Sequence, residues 1–196
     1  MAVALAFADP VHEAQRAFRA VMNALARPGT IQPVVGLADA PAPLSPVAAA
    51  VALTLADYET PVFLDAPLAA NADVARYLAF HSGARVVEAP SQAHFAVIGN
   101  PASVADFGEF ALGTDIYPDR STTLILQVAS LTSGPALTLS GPGIKGAATL
   151  SASGLPADIV QRLAANHALF PRGVDLILAG PDAVAALPRT TRIRSA

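Results

Sequence analysis

Thr122-Thr123-Leu124-Ile125-Leu126-Gln127-Val128-Ala129-Ser130 is a run of β-branched and leucine side chains that is apolar on both faces for most of its length. A strand covered on one side alternates, and a strand covered on both sides does not, so the run predicts a central strand with a layer on each face of its sheet. Next along the chain, Ala136-Leu137-Thr138-Leu139-Ser140 does alternate, and Thr132-Ser133-Gly134-Pro135 supplies a turn between the two segments. Residues 121–144 carry no formal charge and are long enough to span a bilayer. Gln127, the scattered Ser and Thr, and the Gly134-Pro135 break favour a buried hairpin instead.

Upstream, Val11, Ala14, Phe18, Val21, Met22 and Leu25 recur at spacings of three and four across residues 9–27, which predicts one apolar stripe on an amphipathic helix. Asp9 is placed to cap it, with Pro10 at the first helical position and Arg27-Pro28-Gly29 ending it. The expected solvated face holds Gln15, Arg16, Arg19 and Asn23. Ser45-Pro46 opens a helix over 47–56 that is apolar all round and therefore buried, after a rigid Ala/Pro connector at 38–46. A strand follows at 61–64, then a helix from Asn71 to about His81-Ser82-Gly83, a strand at 95–98 and a short helix after Asn100-Pro101. Residues 156–168 read as the last clear helix, 174–179 as the last buried strand, and 189–194 as a basic tail of strand type. Alternating β and α segments with a hairpin among them predict one α/β domain over residues 1–196, a mixed sheet flanked by helices.

Composition narrows the function classes. Of 196 residues, 53% are hydrophobic and 14% charged, which excludes disorder and provides a sizeable core. Twelve basic against fifteen acidic residues leave a net charge of -3, without the electrostatic footprint of a nucleic-acid binder. Cysteine is absent, so disulfides, thiolate zinc sites, iron-sulfur clusters and a cysteine nucleophile are excluded. Eleven of the twelve basic residues are Arg; Lys145 is the single lysine that a pyridoxal phosphate enzyme would have to use. Residues 1–8 are apolar without a basic start, no signal peptide or membrane anchor is read there, and the expected location is the cytoplasm.

Gly141-Pro142-Gly143-Ile144-Lys145-Gly146 matches the dinucleotide fingerprint literally, yet Ser, Thr and Gly follow it where a helix should, and a hairpin turn accounts for the glycines. His12, His81, His94 and His167 show no metal-ligand spacing, and His81 suits a helix C-terminus, where the dipole favours an imidazolium. No Gly-x-Ser-x-Gly elbow occurs. Asp57 and Thr60 lie in a loop from helix to strand, where polar side chains bind ligand or cap backbone, and capping suits Thr60. Residues 113–118 and 170–175 are further polar loops ahead of strands, and Asp175 is either satisfied by loop amides or charged for a purpose. Arg189, Arg192 and Arg194 stand within six residues free of acid. They either neutralise a phosphate-rich ligand or an acidic partner, or protect an edge strand.

Phe18-Arg19 with Arg27-Pro28-Gly29, Leu53-Thr54-Leu55-Ala56-Asp57 with Thr60-Pro61-Val62, Phe80-His81, Gly113-Thr114, Thr123-Leu124-Ile125-Leu126-Gln127, Leu139-Ser140-Gly141-Pro142-Gly143-Ile144, Phe170-Pro171 with Gly173-Val174-Asp175-Leu176-Ile177-Leu178, and Pro188-Arg189-Thr190-Thr191 come in a distinctive order and spacing. Over nearly the whole chain this pattern resembles the PhnH family, a component of the carbon-phosphorus lyase core complex. The resemblance implies phosphonate catabolism: with PhnG, PhnI and the associated PhnL, the family takes part in displacing adenine from ATP by an alkylphosphonate. The product is a ribose alkylphosphonate triphosphate, and PhnJ, a radical iron-sulfur enzyme, later breaks the carbon-phosphorus bond. It further implies a fold like the major domain of type I pyridoxal phosphate-dependent transferases without the cofactor, and a homodimer when isolated; the histidine spacing separately predicts no metal site. No catalytic residue comes with it. Arg19, Asp57, Thr60, His81, Asp175 and Arg189 are the candidates for ligand or interface contacts, because arginine forks suit a triphosphate and a phosphonate. Two roles stand open: an assembly component, or one that carries its own nucleotide or phosphonate site.

Overall fold

The apolar run sits in the middle of the main sheet. The computed structural model describes residues 6–195. In chain order its elements are α1 (Pro10–Ala26), β1 (Gln32–Pro33), α2 (Pro46–Leu55), β2 (Val62–Leu64), α3 (Ala66–Ala69), α4 (Ala72–Ser82), β3 (Val86–Val87), β4 (Phe95–Ile98), β5 (Thr123–Gln127), β6 (Ala136–Ser140), β7 (Ala148–Ser151), α5 (Ile159–Ala168), β8 (Asp175–Ala179), β9 (Ala183–Leu187) and β10 (Arg192–Ser195). The main sheet has the order β1-β9-β8-β5-β4-β2-β3, so β5 is its middle strand. Strands β3, β2, β4, β5 and β8 run parallel, while β9 and β1 add antiparallel pairs at one edge.

Both faces of the sheet are covered, by different layers. Ile125, Ile177, Val97 and Val184 pack with α1, α2 and α4. Leu124, Leu126, Leu176 and Leu178 pack with α5 and the second sheet, β10-β6-β7. Leu124, Ile125 and Leu126 are fully buried, each contributing roughly 1.5–3 kcal/mol of transfer free energy.

The helices start where the capping residues predict. Asp9 Oδ1 accepts the His12 amide at 3.2 Å, Ser45 Oγ accepts the Ala48 amide at 3.3 Å, and Asn71 Oδ1 accepts the Asp73 amide at 3.0 Å. Gly83 ends α4 in the left-handed region with φ +74°. As its uniformly apolar sequence predicts, α2 is buried throughout residues 47–52.

Five expectations need correcting. The face of α1 that is buried is Ala17, Ala20, Val21 and Ala24, while Val11 is 73% and Phe18 and Met22 are each 46% exposed. Small side chains let α1 lie close on the alanines of α2, so volume and not hydropathy chose the face. The hairpin expected over 121–144 does not form: β5 pairs with β4 and β8, and β6 joins the second sheet, with the break at 132–135 carrying the chain from one layer to the other. β8 is followed by another buried strand, β9, whose Ala-Val-Ala-Ala-Leu sequence lacks the β-branched signal of a strand. The last helix starts at Ile159, after a turn at 156–158, and the basic tail becomes a strand only at Arg192. The glycines at 141–146 are, as predicted, the turn of a β6–β7 hairpin.

Candidate functional site

Asp175 and Arg189, 14 positions apart in sequence, form the most heavily connected polar group among the described residues. Arg189 Nε donates to both Asp175 oxygens at 3.2 Å, and Nη2 donates to Oδ2 and to Ser121 Oγ at 2.5 Å each. Nη1 donates to the Pro118 carbonyl at 2.8 Å and reaches that of Pro171 at 3.4 Å, while the Arg189 amide donates to Asp175 Oδ1 at 2.8 Å. Arg189 is therefore fully engaged, a planar fork tying three loops to the first residue of β8. Arg172 Nε lies 3.4 Å from Asp115 Oδ1, joining two of the same loops by an ion pair. Asn166, 3% exposed, fixes the last of them, because its amide both donates to and accepts from the backbone of Val174.

Asp57 and Thr60 close a turn on each other. Thr60 Oγ1 accepts the Asp57 amide at 2.7 Å and donates to Asp57 Oδ1 at 3.0 Å, and that oxygen also accepts the Glu59 amide. Thr60 is thus a capping residue, as its position predicts. His81 ends α4 with its ring 4.6 Å from that of Tyr77 and 5.0 Å from that of Phe80, beside a hollow of about 350 Å³ lined also by Phe7 and Leu53. Burial raises the Tyr77 phenol above its ordinary 10.0, with Asp39 adding to the effect. Arg19 is exposed on α1 and pairs with no described residue.

These six residues do not converge. In register, Val62 pairs with Phe95, Phe95 with Thr123, and Thr123 with Asp175. The 57–60 turn and the Asp175–Arg189 pair therefore lie along the same edge of the sheet, three strand spacings or about 14 Å apart. That is the amino edge of the parallel strands, whereas open α/β sheets bind ligands beyond the carboxyl edge. At the carboxyl edge the polar groups hold the chain itself. Asp65 Oδ2 accepts the Asn100 amide at 3.0 Å, and Gln127 bridges the Ser45 amide and the Pro43 carbonyl.

The glycine turn binds the fold together. A Cβ on Gly143 would stand 2.1 Å from the carbonyl oxygen of Ala26, and one on Gly29 2.8 Å from the Ala148 Cβ, so each glycine marks a close approach between the end of α1 and the β6–β7 hairpin. Lys145 is exposed in that turn. Gly143 meets the protein's own backbone where the dinucleotide fingerprint needs a pyrophosphate, and β7 follows in place of a helix.

The family described as bacterial phosphonate metabolism protein (PhnH) matches residues 5–194. The chain belongs to the PhnH family. A relative from Rhizobium meliloti (strain 1021), named alpha-D-ribose 1-methylphosphonate 5-triphosphate synthase subunit PhnH, is 47% identical over 188 residues, covering 96% of this chain and 94% of the relative. A protein from Stutzerimonas stutzeri, whose name marks it as a candidate C-P lyase subunit, HtxG, is 40% identical over 82 residues, 42% of each chain. For this PhnH family member, the resemblance read in Arg27-Pro28-Gly29 and Gly141-Pro142-Gly143 has a physical basis: the two motifs pack on each other. Pro171, Asp175 and Arg189 likewise belong to one network. Sequence reasoning missed Ser121, Asn166 and the buried Thr122, whose hydroxyl donates to the Ala93 carbonyl at 2.7 Å, because they sit beside apolar runs with no motif of their own. Among the described residues no helix is long and apolar enough to cross a membrane, and no group of His, Asp or Glu is placed to hold a metal ion.

Proposed function

We propose that this chain is a subunit of a synthase that joins the ribosyl triphosphate of ATP to an alkylphosphonate with release of adenine, in phosphonate catabolism. The observation that carries this is the 47% identity across 96% of the chain to a relative named as such a subunit. The role is assembly, in the cytoplasm. Asp175 with Arg189, and Asp57 with Thr60, shape loops that present contact surface, and Arg19 and His81 stand at outer positions beside exposed apolar side chains. Its partners are PhnG, PhnI, PhnJ and the associated PhnL, with a homodimer forming when it is alone. The whole chain acts as one domain related to the major domain of type I pyridoxal phosphate-dependent transferases, holding no cofactor.

The geometry supports an assembly role in two ways. The functional groups of Arg189 and Asp57 are engaged internally. Large apolar side chains stand out on the surface, with Ile116 at 80%, Val35 at 79%, Tyr58 at 77% and Phe80 at 67% exposure. The test is co-purification of the tagged chain with PhnG, PhnI, PhnJ and PhnL, followed by adenine release from ATP and methylphosphonate with and without it. The expected result is one assembly whose adenine release requires the chain; elution alone, with adenine release unchanged when it is omitted, would overturn the proposal.

A further inference from the structure

We infer that the hollow lined by Pro142, His167, Phe170, Thr190 and Arg192 is a binding site for a tetrahedral oxyanion, phosphonyl or phosphoryl, that carries a small substituent. It has a volume of about 190 Å³, ample for a group several times the size of a water molecule. Its lining holds one arginine, one imidazole and one hydroxyl, and no carboxylate.

What marks this place is that an uncommitted guanidinium and an uncommitted hydroxyl line the same hollow as an imidazole. Arg189, three positions back along the chain, is neutralised by Asp175, Arg172 faces Asp115, and Arg162 faces Asp158. The guanidinium of Arg192 makes no ion pair or hydrogen bond with any described residue, and neither does the Thr190 hydroxyl. A carbonyl can only accept, so the 2.9 Å contact between His167 Nδ1 and the Arg189 carbonyl puts the proton of a neutral ring on Nδ1 and leaves Nε2 as an acceptor, matched to the P–OH of a singly protonated phosphonate or phosphate. That contact also fixes the ring. Strand β10 holds Arg192 against β6, where it pairs with Ser140, and its guanidinium offers the forked donor geometry that matches two oxygens of a phosphonate or phosphate. Phe170, 59% exposed, and Pro142 form an apolar wall for the substituent.

Two effects oppose the site: the Asp119 carboxylate lines the adjoining hollow, and His167 lies in the last turn of α5, the negative end of the helix. That field is screened and fades within a turn, whereas a guanidinium fork contacts the anion directly, so Arg192 decides the balance. An adjoining hollow of about 370 Å³ shares Phe170 and Thr190 and is lined also by Asp119 and the mutually neutralised Asp175 and Arg189, which gives a larger ligand room to extend.

The inference rests on the synthase reading only for the choice of probes: methylphosphonate, inorganic phosphate and ATP. Each is titrated at low salt into the full chain while backbone and arginine side-chain resonances are followed by NMR. The expected result is saturable shifts confined to the five lining residues, with Arg192→Ala weakening binding about tenfold, Thr190→Val weakening it less, and Arg16→Ala on α1 leaving it unchanged. Methylphosphonate binding as well as or better than phosphate identifies a phosphonate as the source of the oxyanion; binding of ATP alone identifies the nucleotide. Arg192→Gln serves as the second variant if Arg192→Ala folds poorly. Absence of saturable shifts at these residues with all three probes, or native-like binding by both Arg192 variants, would overturn the inference. Co-purification of the native chain separates the two proposals, because assembly of a native chain that binds none of the three probes sinks this one and leaves the assembly role standing.

Discussion

Replacing Arg189 by Ala tests the view that this residue holds the amino-edge loops and does not reach outward. The Arg189 and Asp175 side chains are 11% and 23% exposed, so the carboxylate left behind is mostly out of water. It keeps the Arg189 amide as donor, but Ser121 Oγ and the Pro118 carbonyl each lose a partner. Breaking a fully buried pair costs roughly 3–5 kcal/mol, and this one is partly open, which points to about 3 kcal/mol. At a urea m-value of about 2 kcal/mol per molar, the unfolding midpoint falls by about 1.5 M with the slope unchanged. Arg189→Lys restores charge without the fork and recovers less than half of the loss. Adding Asp175→Ala to Arg189→Ala costs less than the sum of the single changes, with a coupling of about 2 kcal/mol. A midpoint for Arg189→Ala within about 0.3 M of the native protein, together with lost assembly or ligand capture, would refute the reasoning and make Arg189 a contact residue.

Gly143→Ala destabilises by about 3 kcal/mol or more, since its Cβ would stand 2.1 Å from the Ala26 carbonyl oxygen, whereas Gly146→Ala, with nothing within 4 Å and φ +76°, costs about 1 kcal/mol; thermal unfolding compares the two. Asn166→Ala leaves the buried Val174 amide and carbonyl unpaired and costs about 3 kcal/mol by urea unfolding, with protease cleavage at 170–173 rising in step. Tyr77 has a folded-state pKa raised above 10.0, so the stability it contributes is present below that pH and is lost as pH rises through the folded value. Phenolate absorbance from Tyr77 then accompanies alkaline unfolding, and Tyr77→Phe removes that part of the pH dependence.

Fold features that depend on local chemistry were legible. The central strand announced itself by being apolar on both faces, and Asp9, Ser45 and Asn71 marked helix starts because capping needs a particular side chain at a particular offset. What escaped was decided by volume or by distant pairing. Alanine carries no strand or face signal, which hid β9 and the buried stripe of α1. The alternation of β6 did show a strand with one open face, but nothing local says which sheet it joins, and the turn at 132–135 suited a hairpin as well as a crossing between layers. In the site, Thr60 was readable because its partner is three residues away, whereas the pairing of Asp175 with Arg189 depends on β8 and β9 turning back on each other.

The alanine helix α2 determines how this molecule can move. Ala48, Ala49 and Ala50 have no exposed surface, and small side chains bring the helix close to the sheet beneath it and to α1 beside it. So close a contact leaves no room for sliding, so the two helices and the sheet behave as one body. Amide hydrogens in α2, β5 and β8 should exchange with solvent only on global unfolding, whereas those at 113–120 and 141–147 exchange through local opening. A partner or a ligand that reshapes this protein does so at that rim, which makes the molecule a stiff block with adjustable corners.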